Sequence, residues 1–313
     1  MKKIFQFLFS AILIYLAFSK IHVGNLFTRL LNVPIILIVF TFVYGFLASM
    51  ISSWRWSIIL LKKPKLNDIS AFVKCHYLGA FYGLVLPTSL ASDLVKWLPL
   101  IKKYPNLSKT KIAGSVLIDR IVGASAFFPV ALISAIIGKI LNFNFPNYLW
   151  FVFVFGCIGV IVFYLVLYFL DFEKIGVKSK FIQRIFNIMD ILKNENKKTL
   201  LKVFLISLVV QIVSIFPVWI TSLFLNVNFS LISVYVFIPI ISLILLLPIS
   251  IAGFGAREQL YLFFFSQIGV SQEGILLVST YSSIMGVLIA FVSGLFLITF
   301  QFIFDLRKNR VVN

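Results

Sequence analysis

Apolar runs of about 20 residues or more alternate along this chain with short segments that hold most of its lysines and arginines. A helix rises about 1.5 Å per residue and must cover about 30 Å of hydrocarbon, so runs of this length predict membrane crossings. Full crossings are expected near residues 4 to 22, 34 to 61, 112 to 138, 147 to 170, 200 to 225 and 275 to 304. Two further apolar regions, 69 to 98 and 231 to 270, are interrupted in their middles.

Loop charge sets the direction of the interrupted regions. Lys62, Lys63 and Lys65 precede the first, and Lys102, Lys103, Lys109 and Lys111 follow it, so both its ends are expected on the cytoplasmic side. The segments 226 to 230 and 271 to 274 flank the second and carry no basic residue, which puts both its ends outside. Lys20, Arg29 and Lys139 are then the external basic residues, and the pair Lys20 and Arg29 in one external loop runs against the rule.

The order crossing, crossing, hairpin, crossing therefore recurs with every direction reversed. The expectation is an all-α polytopic membrane protein: six full transmembrane helices plus two re-entrant helical hairpins, arranged as an inverted-topology repeat. It forms one domain over 1–313, with halves at about 1–140 and 145–305. Between the halves, Phe181, Ile182, Ile185, Phe186, Ile188, Met189 and Leu192 recur at helical spacing opposite Lys180, Arg184 and Lys193. The loop 171–202 thus reads as a basic amphipathic helix on the cytoplasmic leaflet.

Composition agrees with a membrane protein. The chain is 61% hydrophobic with 36 phenylalanines and a mean hydropathy of +1.07, more apolar surface than a soluble core hides. A net charge of +18 could suggest nucleic acid, but the bases sit between spans, where they act as topology signals facing anionic lipid. Lys2 and Lys3 before an apolar run look like a secretory signal; with so many spans following, a first crossing is the better reading. Cys75 and Cys157 lie in apolar runs and read as packed thiols, and His22 and His76 are isolated, so no metal site and no cofactor are expected.

The interruptions hold the candidate chemistry. The first hairpin turns at Leu86-Pro87-Thr88-Ser89, with Ser89 as N-cap of a short helix ending near Pro99 that carries Asp93 and Lys96 on one face. The second breaks at Pro248 and at Gly253 and Gly255, then restarts near Ala256 with Arg257 and Glu258 in its first turn. Each restart presents unpaired N–H groups and partial positive charge to the interior, and two such ends from opposite faces would form an anion site suited to a lipid phosphate. The competing reading is of packing kinks whose acids cap helix dipoles.

Asp119 and Arg120 lie inside the third crossing, followed by Gly123, Ala124, Ser125 and Ala126, which permit close helix approach. Neighbouring helical residues point apart, so Asp119 is not expected to pair with Arg120, nor Arg257 with Glu258. Buried charges cost about 2.5 to 3.5 kcal/mol each, so these need partners. Arg120 and Arg257 are the candidate phosphate ligands, with Asp93, Asp119 and Glu258 positioning them or changing protonation. Arg55 between Trp54 and Trp56 reads as an interfacial anchor, and Lys74 as a snorkelling side chain.

At these residues the chain resembles the lysylphosphatidylglycerol synthase transmembrane region family, or flippase-like domain, the membrane part of multiple peptide resistance factors. The similar stretches are Pro87 to Lys96 with Asp93, the pair Asp119-Arg120 where the family usually has Glu-Arg, and Pro248 to Glu258 followed by Ile268-Gly269-Val270-Ser271. Ser89 and Ser92 stand where glycines are common. The resemblance implies a polytopic inner-membrane protein whose partners are lipids, either an anionic phospholipid or a polyprenyl-phosphate lipid; the loop charges, with Lys2 and Lys3 at one end and Arg307, Lys308 and Arg310 at the other, put both termini on the cytoplasmic side. The sequence given stops at Asn313 without the family's soluble aminoacyl-transferase domain, so lysyl transfer is not expected here. Two other readings stand beside lipid flipping: a membrane transferase with Asp93 or Glu258 as general base, and a non-catalytic subunit presenting lipid to a separately encoded transferase. Neither nucleic acid nor a Ser-His-Asp or Cys-His constellation enters any of them.

Labels placed in 226–230 and in 271–274 are expected to react from the same, external side of intact cells. Reaction from opposite sides would remove the second hairpin.

Overall fold

A computed structural model describes residues 2–19, 23–85, 95–169, 197–247, 250 and 253–311. Among them it is helical, without strands: α1 (Lys2–Phe18), α2 (Val23–Leu31), α3 (Ile35–Leu61), α4 (Leu66–Val85), α5 (Leu98–Lys103), α6 (Lys109–Ser125), α7 (Phe127–Ile140), α8 (Asn147–Phe169), α9 (Lys197–Phe224), α10 (Leu231–Leu245), α11 (Ala256–Phe265) and α12 (Gln272–Val311). Among the described residues five apolar stretches are long enough to cross a membrane: Ile35–Leu61, Lys109–Ile140, Asn147–Val166, Lys198–Phe224 and Gln272–Thr299. The expected first crossing is shorter than its sequence run, because α1 ends at Phe18. The first break with Pro87 and Ser89, Asp93, Pro248, and nearly all of the loop 171–202 lie outside the described residues.

A proline explains the break in one long span. The crossing expected as one helix over 112 to 138 is split at Ala126 into α6 and α7, because Pro129 has no N–H to offer the Ser125 carbonyl. A helix that includes residues 95 and 96 ends near Pro99, as expected, where the chain turns at Trp97; α5 then starts at Leu98, with Pro99 in its first turn, where the missing N–H costs nothing.

Contacts between helix ends define two faces. On one, Arg29 of α2 donates to the Leu225 carbonyl (2.6 Å), just past the end of α9, and lies 3.9 Å from Glu273 at the start of α12. A cation at a helix C-terminus meets carbonyls left without intrahelical partners, which gives Arg29 a structural reason to be on this face. The Phe229 and Phe265 rings stack at 4.0 Å there, bringing the segment just before α10 beside the last residue of α11.

On the opposite face Asp68, in the first turn of α4, accepts from the Tyr104 hydroxyl (2.6 Å) and lies 3.6 Å from Lys103 Nζ. The start of α4 and the residues after α5 are thereby clamped together.

Helices distant in the sequence also interlock. α3 packs on α9 at the centre, α4 lies against α12, and α10 lies against α7. α8 packs mainly on α7 and turns Phe151, Phe155, Ile158, Ile161 and Leu165 outward, as a lipid-facing span does.

The clamp at Asp68 has a pH signature. Hydrogen bonds from the Tyr104 hydroxyl and the Lys65 amide, with attraction from Lys103, hold its carboxyl below the usual value. A depressed carboxylate pKa adds stability above the unfolded value of about 3.9 and loses it as pH falls through the folded one. Asp68→Asn is expected to lower unfolding stability in detergent by about 1 kcal/mol at pH 6 after allowing for its exposure, and by less below about pH 4. A pH-independent difference would contradict this assignment.

Candidate functional site

Two polar clusters lie inside the apolar body. The first joins α3, α6 and α9. Arg55 Nε donates to Asp119 Oδ1 at 2.8 Å, its Nη1 to Ser207 Oγ at 3.2 Å and its Nη2 to the Asp119 carbonyl at 3.3 Å. Arg55 and Asp119 are each 5% exposed, inside a collar that includes Ile58, Ile118, Val122, Val203 and Val210. Asp119 and Ser207 each lie ten residues into their helices, about 15 Å below that end of the molecule.

This overturns the reading of Arg55 as an interfacial anchor. Of its two flanking tryptophans only Trp54 behaves as such, half-exposed beneath Lys202. Trp56 is buried and donates to Ser115 Oγ at 2.9 Å. The charge balance is also altered, since Asp119 takes its partner from α3 rather than from the hairpins.

Small residues make the approach possible. A Cβ on Gly123 would lie 3.0 Å from Arg55 Nη2, so the guanidinium rests directly on the α6 backbone. The Gly123 carbonyl accepts from Gln211 Nε2 at 3.1 Å. Arg120, next along α6, is half-buried. Lys96 places its ammonium 4.5 Å from the centre of the Trp56 ring, a cation–π contact that brings the residues before α5 beside this cluster.

The second cluster sits where α11 restarts. Gly253 and Gly255 have φ of 84° and 78°, a left-handed backbone that a side chain would strain. Gly255 also abuts α1, where an added Cβ would come within 2.8 Å of Leu13 Cβ and the Ser10 carbonyl. Glu258 reaches back to accept the Gly255 N–H at 2.7 Å and accepts from Ser283 Oγ of α12 at 2.8 Å. Arg257 Nη1 donates to the same Ser283 hydroxyl at 3.1 Å. Glu258 is 2% exposed and Arg257 half-buried.

As expected, the helix restarts at Ala256 with both charges in its first turn, and Arg257 and Glu258 meet through a hydroxyl from another helix rather than directly. Ser283 lies eleven residues into α12, about 16 Å below the face that carries Arg29. Each cluster is thus deep, one measured from each end.

Sequence reasoning missed Arg55, Ser207, Gln211 and Ser283 as members of these clusters. The available signals were a charge six residues inside the end of an apolar run, and the Ser207/Gln211 pair four apart on one helix face. Among the described residues no three His, Cys, Asp or Glu side chains come together.

The fold and the two clusters define a multi-pass helical membrane protein that holds charged groups within its apolar interior. The chain belongs to the family described as lysylphosphatidylglycerol synthase TM region, whose model matches residues 3–303. No curated protein and no solved structure matches it.

Truncating either partner of the Arg55–Asp119 pair strands a buried charge, so Arg55→Ala or Asp119→Ala is expected to cost about 3 to 5 kcal/mol in detergent unfolding. Arg55→Leu combined with Asp119→Leu should recover most of that loss. A double variant as unstable as the worse single one would show that the charges are required for more than each other.

Proposed function

We propose that this protein binds a polar anionic lipid, such as a modified phospholipid or a polyprenyl-phosphate-linked lipid, and moves it between leaflets of the cytoplasmic membrane, with both termini inside. The observation that carries this reading is the cluster at the α11 N-terminus: Arg257, Glu258 and Ser283 held within an apolar body at a backbone break, in a chain of a lipid-associated family. Charged groups at such depth are costly and mark substrate paths more often than packing.

The architecture we infer is two inverted halves, about 1–140 and 145–305, each with a hairpin that enters and returns. The clamp between Asp68 and Tyr104 supports this for the first hairpin, and the stack of Phe229 on Phe265 for the second. The reciprocal packing of α4 on α12 and α10 on α7 is what an exchange of hairpins between halves would produce.

In this reading Arg120 and Arg257 bind the phosphate, Asp93, Lys96 and Ser89 complete the site from the first hairpin, and Pro87, Pro248, Gly253 and Gly255 make the breaks. Asp119 holds Arg55 and so fixes the helix from which Arg120 projects. Both oxygens of Glu258 are already hydrogen-bonded, which favours positioning the break over accepting a proton as a transferase base.

In vesicles reconstituted with purified protein, leaflet-specific labelling of an anionic lipid should show exchange, and Arg257→Ala and Arg120→Ala should each abolish it while inserting normally. Full exchange by either variant would remove that residue from the mechanism. Chemical modification of the lipid head group without leaflet exchange would favour a transferase.

A further inference from the structure

Among the described residues Lys96 is held by an aromatic ring and by no acid. Its ammonium stands 4.5 Å from the centre of the Trp56 ring, and the carboxylate of the adjoining cluster, Asp119, is taken by Arg55 at 2.8 Å. A ring face attracts a cation through its quadrupole without cancelling the charge. The ammonium therefore keeps its field and its hydrogen-bond donors for another group.

The ring itself is fixed from several sides. Trp56 is 1% exposed, its Nε1 donates to Ser115 Oγ of α6 at 2.9 Å, and the Phe72 ring of α4 meets it edge-on with centroids 4.6 Å apart. Ser115 in turn donates to the Ile112 carbonyl at 2.7 Å, so the hydroxyl that receives the indole is also oriented. Leu100 of α5 packs in the same apolar cluster as Trp56, which ties the segment around Lys96 to this spot.

Depth gives the contact its consequence. Trp56 lies five residues before the end of α3 and Ser115 six residues into α6, about 8 to 9 Å below the face that carries the Asp68 clamp. Asp119 and Arg120 lie about one turn further in along α6. A lysine this near the headgroup layer can reach water by snorkelling, yet the half-buried Lys96 places its ammonium on a buried ring. A phosphate moving inward from this face would meet Lys96 before Arg120.

Resting on the lipid-binding reading above, we propose that Trp56 is a positioning residue of the phosphate site: its ring keeps the Lys96 ammonium inside the protein, as the first cation that a lipid phosphate meets on its way in from this face. Trp56 acts through Lys96 and not on the lipid. Because the hold comes from the negative face of the ring, it is separable from packing by changing ring charge at nearly constant shape.

The test is binding of phosphatidylglycerol, and of diacylglycerol as the same tails without phosphate, by the purified full chain in detergent, read by native mass spectrometry and by competition. The wild type is expected to prefer phosphatidylglycerol by about tenfold or more, and Lys96→Ala to weaken that lipid severalfold while leaving diacylglycerol unchanged. Progressively fluorinated tryptophans placed at position 56 draw charge from the ring face and keep the N–H. Along that series phosphatidylglycerol affinity should fall stepwise, by about threefold or more in all, with little change in melting temperature. The same series in Lys96→Ala should have no effect. A flat or rising series, or unchanged affinity in Lys96→Ala, overturns the positioning role and leaves the phosphate site standing. Equal binding of the two lipids by the wild type removes the phosphate site itself.

Discussion

A charged group inside a bilayer has no water to turn to, and the arrangement of this protein follows from partners that its buried charges find on other helices. Arg55 on α3 is answered by Asp119 on α6 and Ser207 on α9, which pins three spans at one depth. Glu258 answers the amide left open where α11 restarts and takes a hydroxyl from α12. Arg29 answers the last carbonyls of α9. Apolar packing against lipid is nearly indifferent to how two helices are rotated, whereas a directional hydrogen bond in a medium of low dielectric is not. These few contacts therefore specify a geometry that 36 phenylalanines could not.

The clusters differ in how fully their charges are used. Arg55 and Asp119 neutralise one another in a tight, buried pair, so this cluster serves as a fixed joint. In the other, Arg257 and Glu258 share one serine hydroxyl, and Arg257 remains half-buried. A guanidinium bound to a neutral group keeps capacity for an anion that one locked to a carboxylate has lost.

Reciprocal packing of α4 on α12 and of α10 on α7 also ties the proposed halves together. For a lipid carrier built of two inverted halves, such exchange is a means of coupling closure on one side to opening on the other.

The membrane class, most span positions and the helix restart at Ala256 were legible from the sequence by itself, because each depends on local quantities: apolar run length, proline and glycine placement, and charge between spans. So was the expectation that Asp119 and Arg257 would turn from their sequence neighbours, which follows from helical angles. What only the tertiary structure decided is which distant residue each polar group meets. Arg55 between two tryptophans looked like an anchor, and its burial against Asp119 depends on α3 and α6 lying side by side; Ser283 was one serine among many until α12 passed the tip of α11. Such pairings join residues tens to hundreds of positions apart, and helix periodicity carries no information about which faces come together.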